Sequence, residues 1–414
     1  MRLLVVVSMY PHPGHPYSGV FNRNCVEAAE QLGHEIVVLA PRPFVPPFLK
    51  MHPRWAAYAK IPRYEQRGSV HVHRPDLVQV PRIATTIQRN QGAYLQTRGV
   101  ARRLHAQKPF DAIVSFDLSG AGGLAWRLGR DLKIPSTGWA FGLDVRVPMD
   151  SPDANELRMM LPRLDTVFYQ STELRDCAQS YIGAQTLDPD RHIVLPHGIP
   201  QPQPEPIDSD TRARKRRELS IPEDAVVVLF LSRIVNGKGI HELVKAFELV
   251  ANENKDVFCL IVGETPGFDD SAQLRERMEA SGLASRFKLL PACTPTEVPD
   301  FHACADIFAF PSKSEGMPNA LLEAMALGTP SVTFDIPPIC DILEHGPCLV
   351  AAPSFHADKF ADGLANLAND ASLRQDIADH GKAVVQEHYD ITHNVSEALG
   401  YVERLVDQPN HSPT

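Results

Sequence analysis

The sequence is 414 residues long, with 43% hydrophobic residues, 22% charged residues and a formal net charge of −9. This length exceeds one ordinary core, so we expect two domains, and the composition is that of a globular protein. The negative charge argues against a nucleic-acid-binding protein that works through a broadly basic surface.

The first half of the chain alternates short apolar runs with amphipathic stretches. The opening run RLLVVVS (2–8) predicts a buried strand rather than a secretory leader, because its apolar core is only five residues and no small-residue cleavage site follows. Further runs predict strands separated by helices: 34–40, 110–116, 135–141 and 165–171, with helices in 21–33 and 122–133. Continuous β-branched runs of this kind indicate parallel strands that are buried on both faces.

A proline-rich stretch, PHGIPQPQPEPIDSD (196–210), interrupts this pattern and predicts an extended linker. The alternation then restarts, with predicted strands at 225–233, 257–264, 287–292, 306–312 and 330–334. We therefore expect an α/β protein with two doubly wound, Rossmann-like domains and a ligand cleft between them. The expected domains are 1–200 and 201–382, with a final helix from about 383 to 414 that packs back on the first domain.

The seven cysteines are scattered, with no C-x-x-C pair and no zinc-ligand spacing. This pattern is typical of reduced thiols and predicts a cytoplasmic location. No apolar run approaches the ~20 residues that a membrane-spanning helix needs.

The strand near 225–231 leads into SRIVNGKG, in which Arg233 and Lys238 flank a glycine-rich turn. Two cations on such a turn suit a diphosphate, because the glycines admit the backbone and the charges neutralise phosphoryl oxygens. An ordinary solvated turn is the alternative. The next strand ends at Gly263, which is a weak signal by itself.

The segment SEGMPNALLEAMALGTP (314–330) places Glu315 before a helix start and Glu323 further along the same helix. Pro318 fits the first helical turn, and we expect the backbone amides of Asn319, Ala320 and Leu321 to face an anion. The two carboxylates can accept hydrogen bonds from sugar and ribose hydroxyls. The alternative is that they only stabilise the helix dipole.

Two loop features belong to the first half. The loop after the first strand (10–24) contains Gly19 just before a helix, where its backbone can approach a phosphate. The stretch SGAGGLA (119–125) fits G-x-G-x-x-A, with Asp144 about twenty residues further on, and so favours a nicotinamide-dependent oxidoreductase as a competing interpretation. Close helix packing against a sheet is the alternative explanation of the same glycines.

Two cationic stretches raise the question of membrane contact. RARKRREL (212–219) is typical of the solvated face of a helix, with contact to anionic lipid as the alternative. PRPFVPPFLKMHPRWAAYAK (41–60) mixes aromatic, proline and cationic residues and predicts either an acceptor loop or an interfacial anchor for a lipid-linked substrate.

Taken together, these motifs resemble the retaining glycosyltransferases of family four, which have the two-domain GT-B fold. SEGMPNALLEAMALGTPSV matches the family's E-x7-E signature, SRIVNGKG resembles its GR-x(4)-KG signature, and VLPHGI resembles its interdomain turn with His197 in place of asparagine. The similarity extends over essentially all of the chain.

The resemblance implies the transfer of a sugar from a nucleoside diphosphate sugar to a hydroxyl acceptor, with retention of configuration and without a metal or cofactor. It implies that Arg233 and Lys238 bind the donor diphosphate and that Glu315 contacts the transferred sugar. Further donor contacts are implied for Gly19, Gly263, Met317, Asn319, Ala320, Leu321 and Glu323, and base contacts for 290–293.

The sequence departs from the family pattern on the acceptor side. Relatives carry histidines where this chain has Phe116 and Phe141, while Asp117 and Asp144 remain nearby as candidate acceptor-side residues. A sugar-nucleotide-binding protein without catalysis is therefore the second interpretation, ahead of the oxidoreductase.

Overall fold

The computed structural model describes residues 1–78, 85–183, 187–201, 209–264 and 268–408. The chain forms two compact units. Unit 1 comprises Met1–His197 and the segment that begins at Ile391, and unit 2 comprises Gly198–Asp390.

Unit 1 is built on an eight-stranded sheet whose strands are parallel except for one edge strand. Its order is β10-β9-β8-β7-β1-β2-β5-β4, with β4 antiparallel to β5, and β3 pairs with β6 beside it. The strands are β1 Arg2–Val7, β2 Glu35–Leu39, β3 Arg42–Pro43, β4 Tyr64–Arg67, β5 Val70–His73, β6 Asp76–Leu77, β7 Ala112–Phe116, β8 Ser136–Ala140, β9 Thr166–Tyr169 and β10 His192–Val194.

Helices connect these strands and cover the sheet. They are α1 Val20–Gln31, α2 Pro53–Ala59, α3 Thr86–Gln107, α4 Gly123–Leu132, α5 Pro152–Met160 and α6 Thr172–Ile182. The β-branched runs of β1 and β7 are buried throughout their inner positions, as expected for parallel strands covered on both faces.

Unit 2 contains a six-stranded, fully parallel sheet of order β13-β12-β11-β14-β15-β16. Its strands are β11 Val226–Leu231, β12 Val257–Val262, β13 Phe287–Leu290, β14 Ile307–Phe310, β15 Ser331–Phe334 and β16 Val350–Ala352. Its helices are α7 Ser209–Glu218, α8 Ile240–Glu253, α9 Phe268–Ala280, α10 Val298–Cys304, α11 Asn319–Ala326, α12 Pro337–Leu343, α13 Ala357–Asn369 and α14 Ala371–His388. The prediction of two doubly wound units is confirmed.

The last helix, α15 (Ile391–Val406), belongs to unit 1. Its apolar residues Val395, Leu399 and Val402 are buried in the same core as Cys25 and Val26 of α1. The sequence predicted that the returning helix starts at about 383, whereas α14 runs unbroken to His388 within unit 2 and the chain leaves that unit at Asp390.

The two points where the chain enters and leaves unit 2 are neighbours. The amide of Ile199 donates to the carbonyl of Tyr389 (2.8 Å), and a Cβ on Gly198 would lie 2.3 Å from the same oxygen, so only glycine fits there. The chain passes from unit 1 to unit 2 between residues 197 and 198, whereas the sequence predicted a boundary between 200 and 201. Most of the proline-rich stretch that was predicted to be the linker, residues 202–208, lies outside the described residues.

The charge run 212–219 is not simply a solvated face. Arg216 is only 1% exposed, and its guanidinium donates to the carbonyls of Cys304 and Ala225 and pairs with Asp306 at 2.7 Å. Arg212 pairs with the same carboxylate at 2.6 Å. The expected solvated face is wrong for Arg216, because this cation fastens α7 to the end of α10.

The glycines of SGAGGLA serve packing. A Cβ on Gly123 would lie 2.1 Å from Asn90 Nδ2 and 2.5 Å from Glu156 Oε1, so α4 approaches α3 and α5 only because this residue lacks a side chain. This observation supports helix packing over the nicotinamide fingerprint.

Across the described ranges, no helix combines the length and the apolar character that are needed to cross a membrane.

Candidate functional site

The candidate site in unit 2 lies at the carboxyl ends of its central strands. β11 is paired with β12 on one side and with β14 on the other, and all three strands are parallel. Their exits therefore lie side by side, which brings together loops that are about 30 and 80 residues apart in sequence.

The first loop follows β11 and contains a 3₁₀ turn at Asn236–Lys238 that ends in Gly239. Gly239 has φ +70°, and a Cβ there would lie 1.8 Å from the carbonyl oxygen of Pro311, just beyond β14. A side chain is excluded at this position by both the backbone conformation and the available space. The glycine thus lets the lysine-bearing turn rest directly on the exit of β14.

That close approach brings Lys238 to Glu315. Lys238 Nζ donates to Glu315 Oε1 at 2.5 Å, and the hydroxyl of Ser312 donates to the same oxygen at 2.5 Å. Both charged side chains are mostly buried, with 20% and 12% of their surfaces exposed. Lys238 and Glu315, which belong to two motifs far apart in sequence, therefore form an ion pair at the ends of β11 and β14.

Lys313 connects the loop that follows β14 to the loop that follows β11. Its backbone amide donates to the carbonyl of Gly237 (3.0 Å), and its Nζ lies 2.8 Å from Asn236 Oδ1 and 2.9 Å from Glu242 Oε1. These contacts fix the turn that carries Lys238 relative to the loop that carries Glu315.

Arg233 and Gly263 occupy the adjacent strand exits. A Cβ on Gly263 would lie 1.9 Å from the carbonyl oxygen of Ser232, so the end of β12 lies against the backbone that leads to Arg233. The Arg233 side chain is exposed, as a ligand-binding cation at the mouth of a site can be.

The start of α11 differs in part from the sequence-based expectation. The amide of Asn319 donates to Met317 O (3.0 Å) and that of Leu321 to Pro318 O (2.9 Å), because Pro318 precedes the helix with ψ 67° and the chain closes on itself. These two amides are therefore engaged. Among the described residues, only the Ala320 amide of the predicted three lacks a backbone acceptor.

A cavity of about 540 Å³ lies beside these loops, at the ends of β12 and β13. Its lining consists of Ile234, Gly263, Glu264, Arg275, Leu289, Leu290, Pro291 and Ala292. Three of these residues fall in the segment 290–293 that was predicted to contact a base.

Glu323 lies on the second turn of α11, and its side chain is partly buried. Burial raises the pKa of its carboxyl group to about 7. A carboxyl group poised near neutrality is a common property of functional sites.

In unit 1, Gly19 caps α1 in the left-handed region with φ +70°. A Cβ there would lie 2.5 Å from Met9 O, and the same oxygen accepts a hydrogen bond from Asn22 Nδ2 at 2.7 Å. Local packing against Met9 therefore explains why this residue is a glycine. The contact of Gly19 with a phosphate stays a prediction.

Asp117 and Asp144 hold the loops after β7 and β8. Asp117, with φ +73°, accepts from the Ser8 hydroxyl and from the amides of Gly120 and Ala121. Asp144 accepts from the amides of Leu118 (2.8 Å) and Gly142 (2.6 Å). Burial, and then the charge of Asp117, raise the pKa of Asp144 to about 6.

Phe116 and Phe141 form an aromatic cluster instead of a polar site. The Phe141 ring centroid lies 6.1 Å from that of Phe116, 5.1 Å from that of Phe21 and 5.3 Å from that of His197. Burial lowers the pKa of His197 to about 4, so its imidazole is neutral at pH 7.

Comparisons with known proteins show which proteins the chain is similar to. Residues 211–384, most of unit 2, match the glycosyl transferases group 1 family. The chain is 27% identical over 401 residues to the putative teichuronic acid biosynthesis glycosyltransferase TuaC of Bacillus subtilis, which covers 95% of this chain and 96% of that protein.

Solved structures share the fold over nearly the whole chain. Sucrose-phosphate synthase from Thermosynechococcus elongatus superposes with a TM-score of 0.74 at 16% identity, covering 98% of this chain and 99% of the other. Anabaena HepE in complex with UDP superposes with a TM-score of 0.71 at 16% identity, covering 98% and 100%. We therefore identify the chain as a GT-B glycosyltransferase. The resemblance inferred from the sequence motifs is confirmed at this level.

In this glycosyltransferase, Lys238 and Glu315 lie together, as the sequence suggested. The site also contains residues that the sequence analysis did not identify. Ser312, Lys313, Ile234 and Arg275 all contact the site loops or line the cavity. Ser312 and Lys313 directly follow β14, and polar residues at a strand exit are a signal that sequence analysis can use. Arg275 lies on α9 with no distinguishing pattern around it.

Proposed function

We propose that this glycosyltransferase moves a sugar from a nucleoside diphosphate sugar to a hydroxyl acceptor, with retention of configuration and without a divalent metal. The observation that carries the proposal is the contact between Lys238 and Glu315 at the joined exits of β11 and β14. Lys238 could then bind the diphosphate and Glu315 the sugar hydroxyls of one and the same donor molecule.

The diphosphate would be neutralised by Lys238 and Arg233, with the Ala320 amide at the positive end of α11 as a further donor. These groups oppose the negative charge that develops on the leaving diphosphate, which is the role that a metal ion fills in other transferases. When the donor binds, its phosphoryl oxygens take hydrogen bonds from Lys238, and Glu315 is released to accept from the sugar.

Transfer breaks the bond between the anomeric carbon and the diphosphate oxygen, and forms a bond from that carbon to the acceptor oxygen. The acceptor proton passes to the departing phosphate oxygen on the same face, which preserves the configuration. Glu315 orients the sugar by its hydroxyls and does not attack it.

The nucleotide base fits the 540 Å³ cavity, in which Leu289 and Leu290 offer apolar contact and the exposed Arg275 offers a cation at the mouth. UDP in the complex of Anabaena HepE supports a uridine nucleotide as the donor. Glu323 would then accept hydrogen bonds from the ribose hydroxyls.

The test is a donor panel of UDP-, GDP- and ADP-sugars, in which the release of free nucleoside diphosphate is measured with and without EDTA. We expect release from one nucleotide class that is unaffected by the chelator, and a product with the anomeric configuration of the donor by NMR. Activity that disappears with EDTA and returns with Mg²⁺ contradicts the metal-independent mechanism, and an inverted product contradicts retention.

A pH dependence follows from Glu323. Its pKa of about 7 means that the carboxyl is neutral below and ionised above this pH, and an ionised carboxylate accepts stronger hydrogen bonds. We expect UDP-glucose affinity, measured by calorimetry, to rise several-fold between about pH 6 and about pH 8. The diphosphate diester keeps its full charge over this range, so the ligand does not contribute to the change.

Glu323→Gln should bind UDP-glucose with no pH dependence over the same range. Glu253→Gln is the matched control, because Glu253 is an exposed residue of α8 in the same unit. An unchanged pH slope in Glu323→Gln contradicts the role of Glu323 at the ribose.

A second candidate, a nucleotide-sugar-binding protein without transfer activity, is favoured by the aromatic pair Phe116 and Phe141. The two functions differ in turnover. Donor binding in calorimetry without release of nucleoside diphosphate, across a broad panel of acceptors, would support the second candidate.

We also propose that the enzyme works in the cytoplasm at the inner surface of the membrane. The seven free cysteines support a reducing compartment. Membrane contact is supported by exposed apolar residues in the 41–60 segment of unit 1.

A further inference from the structure

Unit 1 contains a second cavity, of about 620 Å³, at the carboxyl end of β1. This volume is within the range of small-molecule sites. The cavity has two unlike walls: one is formed by the strand exits and the starts of helices, and the other by the segment 41–58 that follows β2.

The first wall carries the polar groups. Ser8 lines the cavity at the end of β1, and its hydroxyl donates to Asp117. Because the hydroxyl proton is committed to this carboxylate, the lone pairs of Ser8 Oγ are oriented to accept a hydrogen bond. Asn90 and Gly120 also line this wall, together with the apolar residues Val6, Val7, Ala93, Ala121 and Leu124. The polar groups of the wall are suited to the hydroxyl groups of a ligand.

The second wall is apolar. It consists of Phe44, Pro46, Leu49, Trp55 and Tyr58, and Leu77 and Val78 continue it. A free sugar has hydroxyl groups over most of its surface, so it would remove little of this apolar wall from water. A ligand with a hydrocarbon portion would cover it.

The rim beyond this wall is both exposed and cationic. Met51 and Phe48 are 94% and 82% exposed, and the exposed Lys50 lies between them in sequence. The chain contains no acidic residue between Glu35 and Glu65, whereas the whole protein has a net charge of −9. Isolated apolar side chains flanked by cations are typical of surfaces that insert into anionic bilayers.

We propose that this cavity binds an amphipathic, lipid-linked acceptor whose hydroxyl-bearing head lies at Ser8 and whose hydrocarbon chain passes Leu49 and Tyr58 to an anionic bilayer contacted by Phe48 and Met51. The inference deepens the proposed transfer reaction and rests on it for the identification of the ligand as the acceptor. The acceptor class is thereby a lipid-bound glycan or polyol rather than a free sugar.

Binding can be measured with dodecyl maltoside below its critical micelle concentration, with maltose as the head group alone. Trp55 lines the cavity, whereas Trp126 and Trp139 are buried elsewhere, so tryptophan fluorescence reports on the site. We expect dodecyl maltoside to change the emission and maltose to leave it unchanged at equal concentration. The signal should be absent in Trp55→Phe.

Leu49→Glu introduces a charge into the apolar wall and should weaken dodecyl maltoside binding by about tenfold or more. Tyr58→Ala is a milder variant that serves if the first does not fold, and it should weaken binding in the same direction. Maltose binding equal to that of dodecyl maltoside, or binding unaffected by both variants, would overturn the proposal.

Vesicle flotation tests the rim. The protein should float with phosphatidylcholine vesicles that contain phosphatidylglycerol and not with phosphatidylcholine alone, and Phe48→Ser/Met51→Ser should abolish flotation. Leu249→Ser is the matched control, since Leu249 is a 45% exposed residue in unit 2. The absence of flotation at low salt, or flotation that the double variant retains, contradicts the membrane part of the proposal.

These results are separable from failure of the proposed function. UDP binding, measured by thermal shift in the same preparations, reports on unit 2 alone. If the protein binds dodecyl maltoside but not UDP, the donor site is refuted and the lipid site is supported. The reverse result refutes the lipid site alone.

Discussion

Lys238→Ala should lower kcat/KM for the nucleotide sugar by about 10² to 10³. In the proposed reaction the ammonium group opposes the charge that the leaving diphosphate gains, and in the structure it is paired with Glu315, which the sugar would engage instead. The change is measured as the initial rate of nucleoside diphosphate release, using the donor that the panel selects. Arg233→Ala should have a smaller effect, because its side chain is exposed to water.

Lys245→Ala is the control for this experiment. Lys245 is an exposed residue of α8, seven positions beyond Lys238, and its removal changes the net charge equally. A loss of activity in Lys245→Ala, or a rate within about twofold of the parent in Lys238→Ala, would contradict direct stabilisation of the diphosphate.

Gly239→Ala should destabilise the protein by about 2 to 5 kcal/mol and disrupt the site at the same time. The added Cβ would meet the carbonyl oxygen of Pro311 at 1.8 Å, in a backbone conformation with φ +70° that disfavours alanine. Urea denaturation of the full-length protein, followed by circular dichroism, gives the change in stability.

Gly237→Ala provides a control within the same turn. A Cβ on Gly237 would have no atom within 4 Å, so we expect a change below about 0.5 kcal/mol. Equal stability of the two variants would mean that the turn can move away from Pro311, and that contact would then not fix the position of Lys238.

The meeting of Lys238 and Glu315 was predictable because strand order follows strong rules. β11 and β14 were identified from their apolar runs, and residues just beyond the carboxyl ends of adjacent parallel strands converge. Gly239 of the SRIVNGKG motif also marked this turn in the sequence. The structural reason for the glycine, its contact with Pro311, is visible only in the structure.

The amides at the start of α11 show where sequence analysis reaches its limit. The sequence predicted Pro318 in the first helical turn, whereas it precedes the helix as its N-cap, and whether the following amides remain open depends on its ψ angle. With ψ 67° at Pro318, Asn319 and Leu321 turn their amides to nearby carbonyls. No residue pattern distinguishes this turn from an open one.

Burial of Arg216 was unpredictable for a different reason. Its immediate neighbours Lys215 and Arg217 are charged, and the composition of 212–219 is typical of a surface helix. Its partner Asp306 lies 90 positions away, and the carbonyls it binds belong to the ends of other elements. Local patterns contain no information on such a pairing.

The position of α15 has a consequence for how the protein is synthesised. Unit 2 is one uninterrupted stretch of chain, whereas the core of unit 1 includes Val395, Leu399 and Val402 from the last helix. The ribosome releases this helix only after it has released unit 2, so unit 1 completes its core after unit 2 has emerged. Unit 2 can therefore finish folding before unit 1 does. A premature stop codon after unit 2 would leave unit 1 with the apolar surface that α15 covers exposed to water.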